Sequence, residues 1–124
     1  MKKLGVLLGI TILGAICGAT AGPQASESMD PPTLYPDNYR VLFENDRVRV
    51  LDFRLAKGAH EDTHRHPAHV AVFLGEFRIR FMLPDGTTAI RDAHFGDVAY
   101  SDGVVHASEN IGDNDAHGLL IELK

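Results

Sequence analysis

The run Phe77-Arg78-Ile79-Arg80-Phe81-Met82-Leu83, closed by Pro84-Asp85-Gly86, decides the fold class. Side chains on an extended strand alternate between its two faces. Phe77, Ile79, Phe81 and Leu83 therefore share one face, and Arg78, Arg80 and Met82 the other. Pro-Asp-Gly is turn chemistry, because proline presets its φ and glycine accepts a positive one. Downstream the pattern repeats: Thr87 to Arg91, Val98 to Tyr100 after Phe95-Gly96-Asp97, Val104 to Glu109 after Asp102-Gly103, and His117 to Leu123 after Gly112-Asp113-Asn114-Asp115. Upstream stand Val41 to Phe43, Arg47 to Leu55 and Val70 to Leu74. Short β-prone runs between turn signals predict an all-β sandwich or barrel. Nothing from Tyr39 onward sustains a helical period.

Val70 to Leu74 and Leu119-Leu120-Ile121 are apolar on both faces. A strand with one face in water should alternate, so a second layer or a partner chain should cover the outer side. A homodimer is the economical expectation for so small a domain.

The chain has 124 residues, enough for one domain. Met1-Lys2-Lys3, the apolar run Leu4 to Ile16 and Ala19-Thr20-Ala21 read as a signal peptide over 1–21. A periplasmic or secreted protein is expected. The apolar run is shorter than the ~20 residues of a membrane-spanning helix. Cys17, the only cysteine, raises a lipoprotein alternative, but Ile16 stands where such signals carry a small residue. Cleavage after Ala21 leaves no cysteine and hence no disulfide. Residues 22–36, with Pro31-Pro32 and several serines, read as a flexible leader, and 37–124 as the folded domain. The net charge of -5 argues against a nucleic-acid partner, which needs a basic stripe.

His64-Arg65-His66-Pro67-Ala68-His69 carries the chemistry. A His-x-His pair on a strand aims two imidazoles the same way, and His106 supplies a third from a later strand. Imidazole is the commonest protein ligand for zinc, iron, nickel and copper. His64, His66 and His106 are thus the candidate metal ligands. On a regular strand His69 faces away from the pair, unless a bulge at Pro67 turns it inward. His60, His94 and His117 read as surface or structural residues. Arg78 and Arg80 share a face that reads as solvated, with anion binding as the sharper alternative. Tyr100 reads as a packing residue.

From about Tyr39 to Lys124 the chain resembles the cupins. Their first motif, G-x5-H-x-H-x3,4-E-x6-G, appears as Gly58, His64 and His66; their second, G-x5-P-x-G-x2-H-x3-N, as Gly103, His106 and Asn110. Ser101 replaces the usual proline, and Gly96 lies one residue closer to Gly103 than the motif's first glycine. The resemblance implies a double-stranded β-helix, a jelly-roll barrel, holding one divalent transition metal (iron, manganese, nickel, copper or zinc) on His64, His66 and His106. It also marks a departure. The motif's glutamate falls at position 70 or 71, where this chain has Val70 and Ala71. Three neutral imidazoles then leave the ion's charge uncompensated and favour an anionic oxygen ligand, as in the three-His sites of some thiol dioxygenases.

Val41-Leu42-Phe43-Glu44-Asn45-Asp46-Arg47-Val48-Arg49-Val50, Leu83-Pro84-Asp85-Gly86 and Glu109-Asn110-Ile111-Gly112 are similar to small bacterial single-domain cupins, some linked by name to β-alanine breakdown. The expected function is a small-molecule dioxygenase or related metalloenzyme acting on a small acid or thiol. A non-catalytic module that binds metal or a small ligand is the alternative, and a metal-free structural fold a third. Catalytic residues beyond the ligands are not legible.

Overall fold

The structure, a computed structural model, describes residues 28–124. Nine strands follow a single turn of helix: α1 Pro31–Leu34, β1 Tyr39–Glu44, β2 Val48–Leu55, β3 His60–His66, β4 His69–Phe73, β5 Phe77–Met82, β6 Thr88–Ala93, β7 Val98–Ser101, β8 Val104–Asn110 and β9 Ala116–Leu123. They form two antiparallel sheets, ordered β1-β2-β9-β4-β7 and β3-β8-β5-β6. The expected all-β double-stranded β-helix is what the chain forms.

Alternation decides which residues fill the space between the sheets. Leu51, Phe53 and Leu55 on β2, Leu120 on β9 and Ala71 and Phe73 on β4 point inward from the five-stranded sheet. Phe77 and Ile79 on β5 and Ala93 on β6 meet them from the other. Phe77 packs edge-on against both Phe53 and Phe73, at 6.1 and 5.3 Å between ring centroids. Each such side chain contributes about 1.5–3 kcal/mol on burial. Gly118 on β9 makes room for this cluster: a Cβ there would lie 2.4 Å from the Phe53 ring.

Strand β3 forms where the apolar pattern is silent. The stretch from His60 to Thr63, which the strand pattern did not include, pairs with β8. Glu61 opposes Ser108 and His64 opposes His106, so three steps on β3 match two on β8. This bulge between Glu61 and His64 inverts the alternation. Glu61, His64 and His66 all face inward as a result, each 4% exposed or less.

The signal peptide expected over 1–21 lies outside the described residues. The stretch read as a flexible leader, 22–36, enters them at Ser28, and from Met29 onward it has fixed contacts. The Arg65 amide donates to the Met29 carbonyl at 2.9 Å, and the Asp62 amide to the Tyr35 hydroxyl at 2.6 Å. Pro31 opens α1, where a missing N–H costs nothing, and is buried. Composition masked this, because the partners that fix the segment lie on β2 and β3.

On the outer face of the five-stranded sheet, β9 and β4 present Ile121, Leu119, Val70 and Val72, all half-buried, beside the exposed Val98 and Tyr100 of β7. Register continues the row through Val50 to Phe43, which is 55% exposed. The double-sided apolarity of β4 and β9 is thus real, and no described part of the chain forms a further layer over it.

Candidate metal centre

His64 and His66 enter the barrel from β3, and His106 from β8 directly opposite His64. One nitrogen from each of the three lies within 4.8 Å of the others. The ring centroids are 4.9 Å apart for His64 and His66, 4.8 Å for His64 and His106, and 5.4 Å for His66 and His106. Gly103, at φ +114° in the turn before β8, and Gly58, at φ +75° before β3, set the entry of both strands. Few residues other than glycine tolerate those angles.

The donor chemistry suits a cation. His64 Nδ1 lies 2.8 Å from the Asp62 carbonyl, which can only accept, so Nδ1 carries the proton and Nε2 its lone pair. That Nε2 is buried with no hydrogen-bond partner, and so is His66 Nδ1. Orphaned buried nitrogens are costly unless something ligates them. Burial pushes the His64 imidazole below its ordinary pKa. Burial, then the rings of His64, His66 and His69, pushes His106 down to about 3. Both are neutral at pH 7, as metal ligands must be. The three residues could therefore hold a metal ion.

His69 departs from its default reading. The chain leaves one sheet at Pro67 and enters the other at His69, so the alternation of β3 does not carry over. His69 faces inward from β4, is 8% exposed, and its ring lies 5.4 Å from that of His66. Nδ1 donates to the Pro67 carbonyl at 2.8 Å, leaving Nε2 as an acceptor. Burial lowers its pKa as well. It stands outside the group of three.

Two buried carboxylates escaped the sequence reading. Glu61 lies under the cluster, 3.8 Å from His64 Nε2, and accepts hydrogen bonds from Asn38 Nδ2, the Tyr39 hydroxyl and the Ser108 hydroxyl. Regular alternation would have turned it outward; the β3 bulge brings it in. Glu122 on β9 opposes His69 and places Oε1 3.5 Å from His66 Nδ1, too far and unaligned for a hydrogen bond. Its other oxygen pairs with Arg49 Nε at 2.6 Å, and Arg49 in turn grips Asp30 just before α1. Burial alone would raise the Glu122 pKa; His66 and Arg49 outweigh it and hold the carboxyl ionised. In Ile121-Glu122-Leu123 the neighbours are apolar on both sides, so parity gave no sign of where the carboxylate points.

At the position of the absent motif glutamate, Ala71 faces inward and Val70 outward. Arg78 and Arg80 lie on the outer face, paired with Asp92 and Glu109. Tyr100 is exposed, its hydroxyl on Asp102. His60 pairs with Asp62, His94 with Asp97 and His117 with Asp52, all away from the cluster. His66, His69 and His106 open onto a cavity of about 250 Å³, whose walls include Phe73, Phe77, Ile79 and Phe81. His106 stacks on Phe81 with the rings 4.8 Å apart.

This architecture has solved counterparts. A cupin domain from Bordetella pertussis Tohama I matches with a TM-score of 0.63 and 26% identity, over 69% of this chain and 91% of that one. The fold is the cupin barrel. A protein with a double-stranded β-helix domain from Klebsiella pneumoniae matches at a TM-score of 0.55 and 18% identity, over 69% and 76% of the two chains. The oxalate decarboxylase of Lactobacillus farciminis, solved as a formate complex, matches at 0.51 and 23%, over 64% of this chain and 24% of its own. These two show a shared cupin fold alone. No protein-family profile and no curated protein sequence matches the chain.

Proposed function

We propose that this cupin is an exported metalloenzyme of oxygenase type, with one divalent transition metal on His64, His66 and His106 and a small organic substrate in the adjoining cavity. The observation that carries the reading is the convergence of three imidazoles, two with buried unpartnered nitrogens, at an apolar cavity. A bound ion supplies Lewis acidity there and, if it is iron, manganese, nickel or copper, a redox couple.

The chain's own residues supply the rest. Phe73, Phe77, Ile79 and Phe81 give the cavity an apolar wall that holds an apolar body by contact. Neutral His69, on the cavity wall, can take a proton from a substrate hydroxyl or thiol at Nε2. Glu61 and Glu122 offset the charge that three neutral ligands leave uncompensated, and both stand close to the ligand rings. Export rests on the sequence of 1–21, and a homodimer on the apolar outer face of β4 and β9. The likeness to cupins linked by name to β-alanine breakdown adds no chemical step.

Oxygen uptake by the iron-loaded protein, screened over small acids and thiols, tests the reading. Turnover with at least one substrate, lost in His106→Ala, is expected. A fully loaded site that consumes no oxygen with any of them makes the protein a binding module instead.

A further inference from the structure

Arg91 sits on β6 opposite Ile79, whose side chain is buried between the sheets, so Arg91 shares the inward face. Its guanidinium lies over the Phe73 ring, 5.6 Å from the centroid, and the residue lines the same cavity as His66 and His106. Arg49, Arg54, Arg78 and Arg80 each have a carboxylate partner; among the described residues Arg40, Arg47, Arg65 and Arg91 have none, and of these four Arg91 alone lines the cavity. The residue is exposed, so this unpaired guanidinium lies against an aromatic wall on the open side of the cavity, a ready partner for an incoming carboxylate.

Register gives the reach. Ile79 pairs with Asn110 on one side and Arg91 on the other, so Arg91 stands two strands across and four residues along from His106. At ~4.8 Å between strands and ~3.4 Å per residue, the two Cα atoms are about 17 Å apart. Both side chains shorten that gap, yet a two-carbon diacid cannot touch both. The cavity, about 250 Å³, falls just below the ~300–1,000 Å³ of drug-sized sites. Its occupant is a small molecule and not a polymer.

We propose that the cavity takes a monocarboxylic acid with an apolar body of one ring or several methylenes. The carboxylate pairs with Arg91, the body lies along Phe73, Phe77 and Phe81, and the far end reaches His66 and His106. This rests on the cavity being the substrate site, and it names the substrate class.

The test is calorimetric titration of the purified protein with 4-phenylbutyrate and with 4-phenylbutan-1-ol, which has the same body without the charge. The acid should bind at least tenfold more tightly, about 1.4 kcal/mol. Arg91→Gln should remove that advantage and leave the alcohol unchanged, while Arg91→Lys retains part of it. Metal content should be the same in all three proteins. The contrast should persist in His64→Ala, so failure of the metalloenzyme reading would leave it standing. Equal affinity for acid and alcohol would overturn the proposal. So would an acid affinity that survives Arg91→Gln but vanishes in His64→Ala, since the carboxylate would then sit on the metal.

Discussion

Replacing Glu122 by glutamine should weaken both the barrel and its hold on metal, and by amounts the geometry sets. The Glu122 side chain is 2% exposed and joins Arg49, 18% exposed, to the space beside His66. Removing one partner of a buried ion pair costs about 3–5 kcal/mol. Here glutamine keeps an acceptor for Arg49 Nε, and Arg49 keeps Asp30, so a loss of about 1–2 kcal/mol is expected. At roughly 4–8 °C per kcal/mol for a domain of this size, the melting point should fall by about 4–16 °C. Metal affinity should also fall, by about 10–100-fold, the usual effect of losing an outer partner of the ligands, because the carboxylate beside His66 no longer offsets the ion's charge. Asp30→Asn works at the exposed end of the same chain, where the carboxylate side chain is 35% exposed. It should cost no more than about 1 kcal/mol. Thermal melts and competitive metal titrations of both variants measure the gradient. If Asp30→Asn proves as damaging as Glu122→Gln, or Glu122→Gln binds metal as tightly as the unaltered protein, the charge-balancing role of Glu122 is refuted.

Three further outcomes follow from the same structure. Gly118→Ala forces a Cβ to within 2.4 Å of Phe53 and 2.8 Å of the Val72 carbonyl, and should lower stability by about 1–3 kcal/mol in urea unfolding. An unchanged midpoint would mean the Phe53 ring moves freely. In metal-free protein, His64, His69 and His106 have lowered pKa values, so the unfolded chain binds more protons. Their contribution is full above pH ~6.5 and falls as the pH drops toward 3, at up to about 1.4 kcal/mol per pH unit for His106. Urea midpoints should decline already between pH 7 and 5, above the carboxylate range; a flat profile there would contradict the assignment. Sedimentation should show a dimer that Val70→Lys dissociates, and a monomeric unaltered protein would rule out the apolar outer face as a self-interface.

The strands that build the core were legible because their inward residues are apolar and their outward ones are not, as in Phe77 to Leu83. Strand β3 was half hidden for the opposite reason. Its inward residues are Glu61, His64 and His66, so the strand that carries the site has no apolar alternation to announce it. The histidine spacing and the glycines before it gave the cluster. The bulge that admits Glu61 depends on pairing with β8, and the inward turn of His69 on a change of sheet at Pro67; neither has a local signal. Arg91 escaped notice because its facing follows from register with Ile79. The ordering of 28–36 likewise depends on Arg49, Asp62 and Arg65, distant in sequence.

The central claim is that His64, His66 and His106 bind a metal ion. Elemental analysis of the untagged protein, purified without chelator, tests it most directly. The account predicts near one equivalent of a transition metal, absent from His64→Ala and His106→Ala and retained in His60→Ala. Metal retained in both of the first two variants, or an unaltered protein that carries none and takes up none when it is offered, would contradict it.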